Sequence, residues 1–176
     1  MPIEFESVTT KGGDGGSTSL WDGSRVRKTS HVIEVLGLAD ELNAHIGVLI
    51  SKDTLNSRDL KTLNHIQEDL YVLMGVTASS PIVFEKSRVD ALERVQRRIM
   101  KKCDIPQVFI TFNSNETCAY INLIRTKVRQ VERHYLMTDR ATKTIKTYLN
   151  RLSDYMYVLS LVYMPERKKR LLPRRK

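Results

Sequence analysis

Residues 9–23 read TTKGGDGGSTSLWDG, with five glycines, three threonines, two serines and two aspartates in fifteen positions. Successive glycines leave backbone N–H groups free to converge on an anion. Thr10, Ser17 and Thr18 add hydroxyls, and Lys11 and Lys28 add positive charge. A phosphate cradle accounts for this composition, and so does a flexible Gly/Ser-rich leader. Farther along, Asn122, Arg125, Arg129 and Glu132 recur at helical spacing and form one polar stripe. Two guanidiniums one turn apart suit a polyphosphate, because each presents a fixed fork of donors. The same stripe also reads as a solvated face on which Arg129 neighbours Glu132 or Arg133. Asp40, Asn43 and Gly47 form a second polar edge, and Asp40 is suited to hold one guanidinium while leaving another free. Gly47 costs a helix about 1 kcal/mol relative to Ala, which points to close packing or the approach of a ligand. Asn150 and Asp154 form a third edge at i, i+4, with Arg151 in reach of Asp154 at i, i+3.

Several chemistries are excluded. The glycine loop lacks the Gly-Lys-Ser/Thr ending of a Walker A loop and has no strand–helix–strand unit around it. Cys103 and Cys118 form neither a CxxC pair nor a His/Cys cluster, so no zinc site is expected and both read as small apolar residues. No run approaches the roughly 20 apolar residues of a membrane span. MPIEFESV carries no signal core or Arg-rich presequence, so a cytoplasmic protein is expected. The net charge of +9 invites a nucleic-acid reading, but Met164–Lys176 supplies +6 of it. That tail has no aromatic residues to stack on bases, so no nucleic-acid partner is expected. It reads as a solvated extension, or as a contact for an anionic surface.

These residues need helices to position them. Apolar residues at spacings of three and four predict five helices. The first, His31–Ser51, carries Val32, Val35, Leu36, Ala39, Leu42, Ile46, Leu49 and Ile50 inward. The second, Ser57–Ser79, has Ser57 as N-cap and Leu60, Leu63, Ile66, Leu70 and Leu73 inward. The third, Ser87–Lys102, has Ser87 as N-cap and Val89, Leu92, Val95 and Ile99 inward. After an extended connector at Gln107–Phe112 comes the fourth, Glu116–Met137, with Cys118, Ile121, Ile124, Val128, Val131 and Tyr135. The fifth, Ala141–Tyr163, has Ile145, Tyr148, Leu149, Leu152, Met156, Leu159 and Val162, and Pro165 stops it. No period-2 segment is long enough for a sheet. The expected fold is all-α: a five-helix up-and-down bundle, residues 31–164, between a glycine-rich loop, 1–30, and a basic tail, 165–176.

Together these pieces resemble the PduO-type ATP:cob(I)alamin adenosyltransferases. The family loop Thr-Lys/Arg-x-Gly-Asp-x-Gly-x-Thr corresponds to Thr10-Lys11-Gly12-Gly13-Asp14-Gly15-Gly16-Ser17-Thr18. Its Ser-Lys pair is Arg27-Lys28 here. Glu-x-x-Gly-x-x-Asp-Glu-Leu-Asn is matched by Glu34, Gly37 and Asp40-Glu41-Leu42-Asn43, and Ile-Gln by Ile66-Gln67. The Arg-x-x-x-Arg-Arg-x-Glu-Arg stripe is Arg125, Arg129, Glu132 and Arg133, with Gln130 replacing one Arg. Tyr-Leu-Asn-Arg-Leu-Ser-Asp is Tyr148–Asp154 unchanged.

The resemblance implies the family's five-helix, ferritin-like bundle, assembled as a homotrimer with sites between subunits. It implies attack of cob(I)alamin on C5′ of ATP, giving adenosylcobalamin and triphosphate, with Mg²⁺ accompanying the phosphates. An ATP-binding relative that carries or senses cobalamin is the alternative. The implied partners are a flavoprotein reductase and a B12-dependent enzyme. Thr10, Lys11, Gly13, Asp14, Gly16 and Thr18 would form the phosphate loop, and Lys28, Arg129 and Asn150 would bind ATP. Glu132 would serve the metal or nucleotide. Arg125 would pair with Asp40 and hold the interface of the site. Phe109 would face the corrinoid and keep the lower axial ligand off cobalt. The chain departs from the family after Phe109-Ile110: Thr111-Phe112-Asn113-Ser114 replaces the family's Leu-Pro-Gly-Gly, which puts the corrinoid side in question. Asn and Ser make the turns of glycine less readily.

Overall fold

In the computed structural model, residues 9, 11–101, 103–106, 109–165 and 170–172 are described. Five helices form the body: α1 (His31–Ile50), α2 (Ser57–Thr77), α3 (Lys86–Met100), α4 (Glu116–Tyr135) and α5 (Lys143–Val162). α1 packs on α2 and α4, and α5 packs on α4 and α3. This places α4 between α1 and α5, and α5 is buried well beyond a single stripe, at Ser153, Tyr155, Val158, Ser160 and Leu161 as well as the expected positions. Among the described residues, no helix is long and apolar enough to cross a membrane.

The expected stripe of α4 is buried in full. On α1 the inward residue is Leu38 rather than Leu36, which is half-buried at the edge of the apolar arc. Val162, at the end of α5, is exposed. Both expected serine caps are corrected. Asn56 caps α2, its side chain accepting from the N–H groups of Arg58 and Asp59, and Ser57 lies one residue inside. Glu85 precedes α3 without a side-chain cap bond, which puts Ser87 in the first turn. Asn115 caps α4 and Thr142 caps α5.

Polar links also run through the bundle. Asp69 of α2 accepts from the Tyr148 hydroxyl of α5 at 2.8 Å and pairs with Arg88 of α3. Phe84 meets the Tyr148 ring edge-on at 5.0 Å. Gln67 of α2 donates to the Asn43 carbonyl of α1 at 3.1 Å, across from Gly47. At the far end, the Tyr163 hydroxyl accepts from the Asn56 N–H and donates to Asp59, while the Asn115 amide donates to the Tyr163 carbonyl.

Two short antiparallel pairs flank the helices. β1 (Ser17–Ser19) pairs with β2 (Arg25–Arg27), and β3 (Phe109–Thr111) pairs with β4 (Arg170–Leu172) in the register Phe109↔Leu172. The connector around residue 109 is thus a strand. Part of the tail is its partner rather than a solvated extension, because an extended connector offers an unpaired edge that any extended segment can satisfy.

Candidate functional site

The glycine loop is folded onto the β1–β2 hairpin. Consecutive turns are closed by Asp14 N–H to the Lys11 carbonyl and Gly16 N–H to the Gly13 carbonyl. Lys11 has φ 55° and Gly16 φ 76°. The left-handed conformation is unfavourable for lysine, and such residues cluster where a loop is shaped for a ligand. Lys28 N–H donates to the Gly16 carbonyl, and the Lys28 ammonium folds back over Gly13: a Cβ there would lie 2.8 Å from Nζ. Gly13 therefore makes room for the ammonium. Arg25 donates to the Gly12 and Ser17 carbonyls and holds the loop from its other side. The hairpin turn is closed by Gly23 at φ 81° and by Ser24 donating to Asp22, which lowers the Asp22 pKa. Buried Leu20 and a bond from the Trp21 N–H to the Ala78 carbonyl dock the hairpin on the end of α2. Thr10 lies outside the described residues.

On α4, Arg125 is half-buried and donates to Asn122 at 2.9 Å. Burial and, next, the positive charge of Arg129 lower its pKa; a guanidinium nonetheless stays charged. Arg129 is exposed and makes no hydrogen bond or ion pair with another described residue, Glu132 included. Two like charges therefore sit together without a carboxylate between them, which is the electrostatic condition for taking up an anion. Asp40 is exposed on α1 and does not pair with Arg125 within the chain. Asp14 stays on the loop, Thr18 lies in β1 opposite Val26, and Glu132 lies half-buried one turn beyond Arg129.

Asn150 is exposed on α5, and its amide oxygen accepts from Arg151 at 2.9 Å. Arg151 also donates to Glu93 of α3 at 2.9 Å and lies 3.8 Å from Asp154. The sequence pattern pointed to the Asp154 contact but missed Glu93, which lies on another helix at ordinary polar spacing.

Phe109 stands out of β3, 74% exposed. The stretch after it is well supported without glycine. Thr111 donates to Asn113 at 3.2 Å, Ser114 is buried against Cys118, and Asn115 caps α4. Neither Asn113 nor Ser114 takes a left-handed φ, so the feared turn is not required. Phe112 packs edge-on against Tyr157 at 5.9 Å. Burial raises the Tyr157 pKa, while the charge of Arg125 opposes the shift, so an aromatic pair and a guanidinium share this side of α4 and α5.

The family model for cobalamin adenosyltransferase matches residues 8–163. The chain belongs to that family. It is 33% identical to a cobalamin adenosyltransferase of Cupriavidus metallidurans over 166 residues, covering 92% of this chain and 90% of that one. It is 31% identical to a corrinoid adenosyltransferase of Mycobacterium tuberculosis over 181 residues, covering 94% and 93%. In fold it is similar to a variant PduO-type ATP:corrinoid adenosyltransferase from Lactobacillus reuteri complexed with cobalamin and ATP. The TM-score is 0.83 at 22% identity, over 94% of this chain and 98% of that one. The five-helix architecture expected from the sequence is thus a family architecture.

Proposed function

We propose that this member of the family transfers the 5′-deoxyadenosyl group of ATP to cob(I)alamin, releasing triphosphate. The observation that carries the reading is the unneutralised pair Arg125/Arg129 on the same chain as a glycine loop with Lys28 folded over it. Relatives named for corrinoid adenosyl transfer support it. Cob(I)alamin is itself a strong nucleophile, so the protein has to position two substrates, stabilise a leaving triphosphate and exclude water.

In this reading Lys11, Gly13, Asp14, Gly16 and Thr18, with Thr10, form the phosphate loop, and Lys28, Arg129 and Asn150 grip the nucleotide. The division into loop, bundle and tail follows the same roles. Glu132 stands near the nucleotide. Among the described residues no three His, Cys, Asp or Glu side chains converge on a metal-sized space. A Mg²⁺ ion would therefore arrive on the triphosphate, with one or two carboxylates such as Glu132 beside it. Asp40 and Arg125 are unpaired with each other within one chain and are left to pair between chains of a homotrimer. Phe109, exposed on β3, faces the corrinoid and disfavours its lower ligand. A cytoplasmic setting, with a flavoprotein reductase to supply Co(I) and a B12-dependent enzyme to accept the product, completes the proposal.

The test is anaerobic adenosylation with chemically reduced cobalamin and MgATP. Adenosylcobalamin should form, and Arg129→Ala should lower kcat/KM by about 10²–10³, as loss of one preorganised donor does elsewhere. ATP binding without product would instead identify the cobalamin carrier or sensor.

A further inference from the structure

We infer that Arg151, held by Glu93, is a positioning residue that fixes Asn150 as a hydrogen-bond donor toward the nucleotide. The inference rests on reading Asn150 as an ATP contact. An asparagine amide offers both an acceptor oxygen and a donor NH₂, and a free one presents either by flipping. Arginine has donors only, so the amide atom facing Arg151 is the oxygen whatever the rotamer of the rest. That bond is 2.9 Å. With the oxygen turned toward Arg151, the amide presents its NH₂ on the other side.

The guanidinium is itself fixed. Its Nε donates to Glu93 Oε1 of α3 at 2.9 Å, and Glu93 Oε2 accepts from Arg97 at 2.6 Å. Asp154 stands 3.8 Å from the same Nη1 that reaches Asn150. A planar fork is needed for this, because Nε and Nη1 serve two helices at once; a lysine has one nitrogen and serves one direction. The consequence is chemical. The atom that Asn150 meets on the nucleotide is an acceptor, a phosphate or ribose oxygen or a ring nitrogen, and not the adenine amino group. The α3–α5 contact thereby belongs to substrate handling as well as to packing.

The experiment is a double-mutant cycle on ATP kinetics with Asn150→Ala, Arg151→Ala and the double variant, alongside melting temperatures. Asn150→Ala should raise the KM for ATP by about tenfold, the scale of one charge-assisted hydrogen bond, and Arg151→Ala by a smaller factor of about two to three, since the freed amide still flips into place, with kcat much less affected by either. The double variant should be no worse than Asn150→Ala alone. Arg151→Lys should fail to restore the KM. Effects that multiply in the double variant would overturn the inference and make Arg151 structural only. A raised KM for Asn150→Ala with an unchanged one for Arg151→Ala would overturn it while leaving the ATP reading intact. No effect of Asn150→Ala would overturn both. Should Arg151→Ala not fold, Glu93→Gln carries the same cycle with a smaller KM increase, again absent in the Asn150→Ala background.

Discussion

Replacing Gly13 by Ala separates stability from nucleotide handling. Gly13 has no left-handed φ, so its backbone accepts Ala. The added Cβ would lie 2.8 Å from Lys28 Nζ and 3.1 Å from Cε. Ordinary contact begins near 3.5 Å, so the ammonium must retreat by about 0.7–1 Å. It is the end of a flexible side chain, so the fold loses little, within about 0.5 kcal/mol. The cost falls on the ligand. Moving a unit charge from about 3 to about 4 Å from a phosphate, at an effective dielectric constant near 20, weakens the attraction by about 1.4 kcal/mol. That corresponds to about a tenfold rise in the KM for ATP. The assay is anaerobic adenosylation at varied ATP, paired with a thermal melt in which Tm moves by no more than about 2 °C. An unchanged KM would refute the placement of Lys28 over the loop. A KM that rises only in step with a falling Tm would refute the argument that the change is local.

Four further outcomes follow from other contacts. Gly47→Ala should stabilise the chain by about 0.5–1 kcal/mol in chemical denaturation, because its Cβ would meet the Gln67 amide at an ordinary 3.5 Å; destabilisation or lost activity would mean that a second chain or a ligand approaches there. Asp69→Ala should cost about 3–5 kcal/mol in the same measurement, since it strands Arg88 and the buried Tyr148 hydroxyl. Burial, together with Asp59, raises the Tyr163 pKa to about 12, so the folded chain holds this proton more tightly than the unfolded one. The stability it contributes is complete below the ordinary tyrosine value of about 10 and is lost as pH rises from there through 12, so Tyr163→Phe should flatten the alkaline limb of a stability–pH curve. Ending the chain at residue 165 removes the β4 partner of β3 and should raise the KM for the corrinoid several-fold while sparing that for ATP, read from the same kinetics.

The helices were legible because burial leaves a period in the sequence, and α4, whose apolar residues keep to one stripe although it packs on both α1 and α5, was read residue for residue. On α1 the reading slipped from Leu36, which is half-buried, to Leu38, because both lie near the edge of the apolar arc and spacing alone does not choose between them. The caps of α2 and α3 were misplaced by one or two residues, since Asn56 and Ser57 are both competent caps and only geometry chooses between them. Links between distant residues carry no local signal. Asp69 with Tyr148, Arg151 with Glu93, and β3 with β4 each join segments far apart in sequence. The residues proposed for the site stand out in the sequence as motifs. The fold of Lys28 over Gly13 was not, because nothing in a glycine names the atom it leaves room for.

At the end of the bundle away from the glycine loop, one tyrosine is shared by three helix ends. Tyr163 follows α5, binds the cap residue of α2 through its hydroxyl and the cap residue of α4 through its carbonyl. None of these ends can fray without loosening the other two. Amide hydrogens at residues 58–60, 118–119 and 162–164 should then exchange with a common opening free energy, as one cooperative unit instead of three independent termini. Strand β3, proposed to face the corrinoid, lies just ahead of α4, so its foundation is set by that unit as well as by the strand pair.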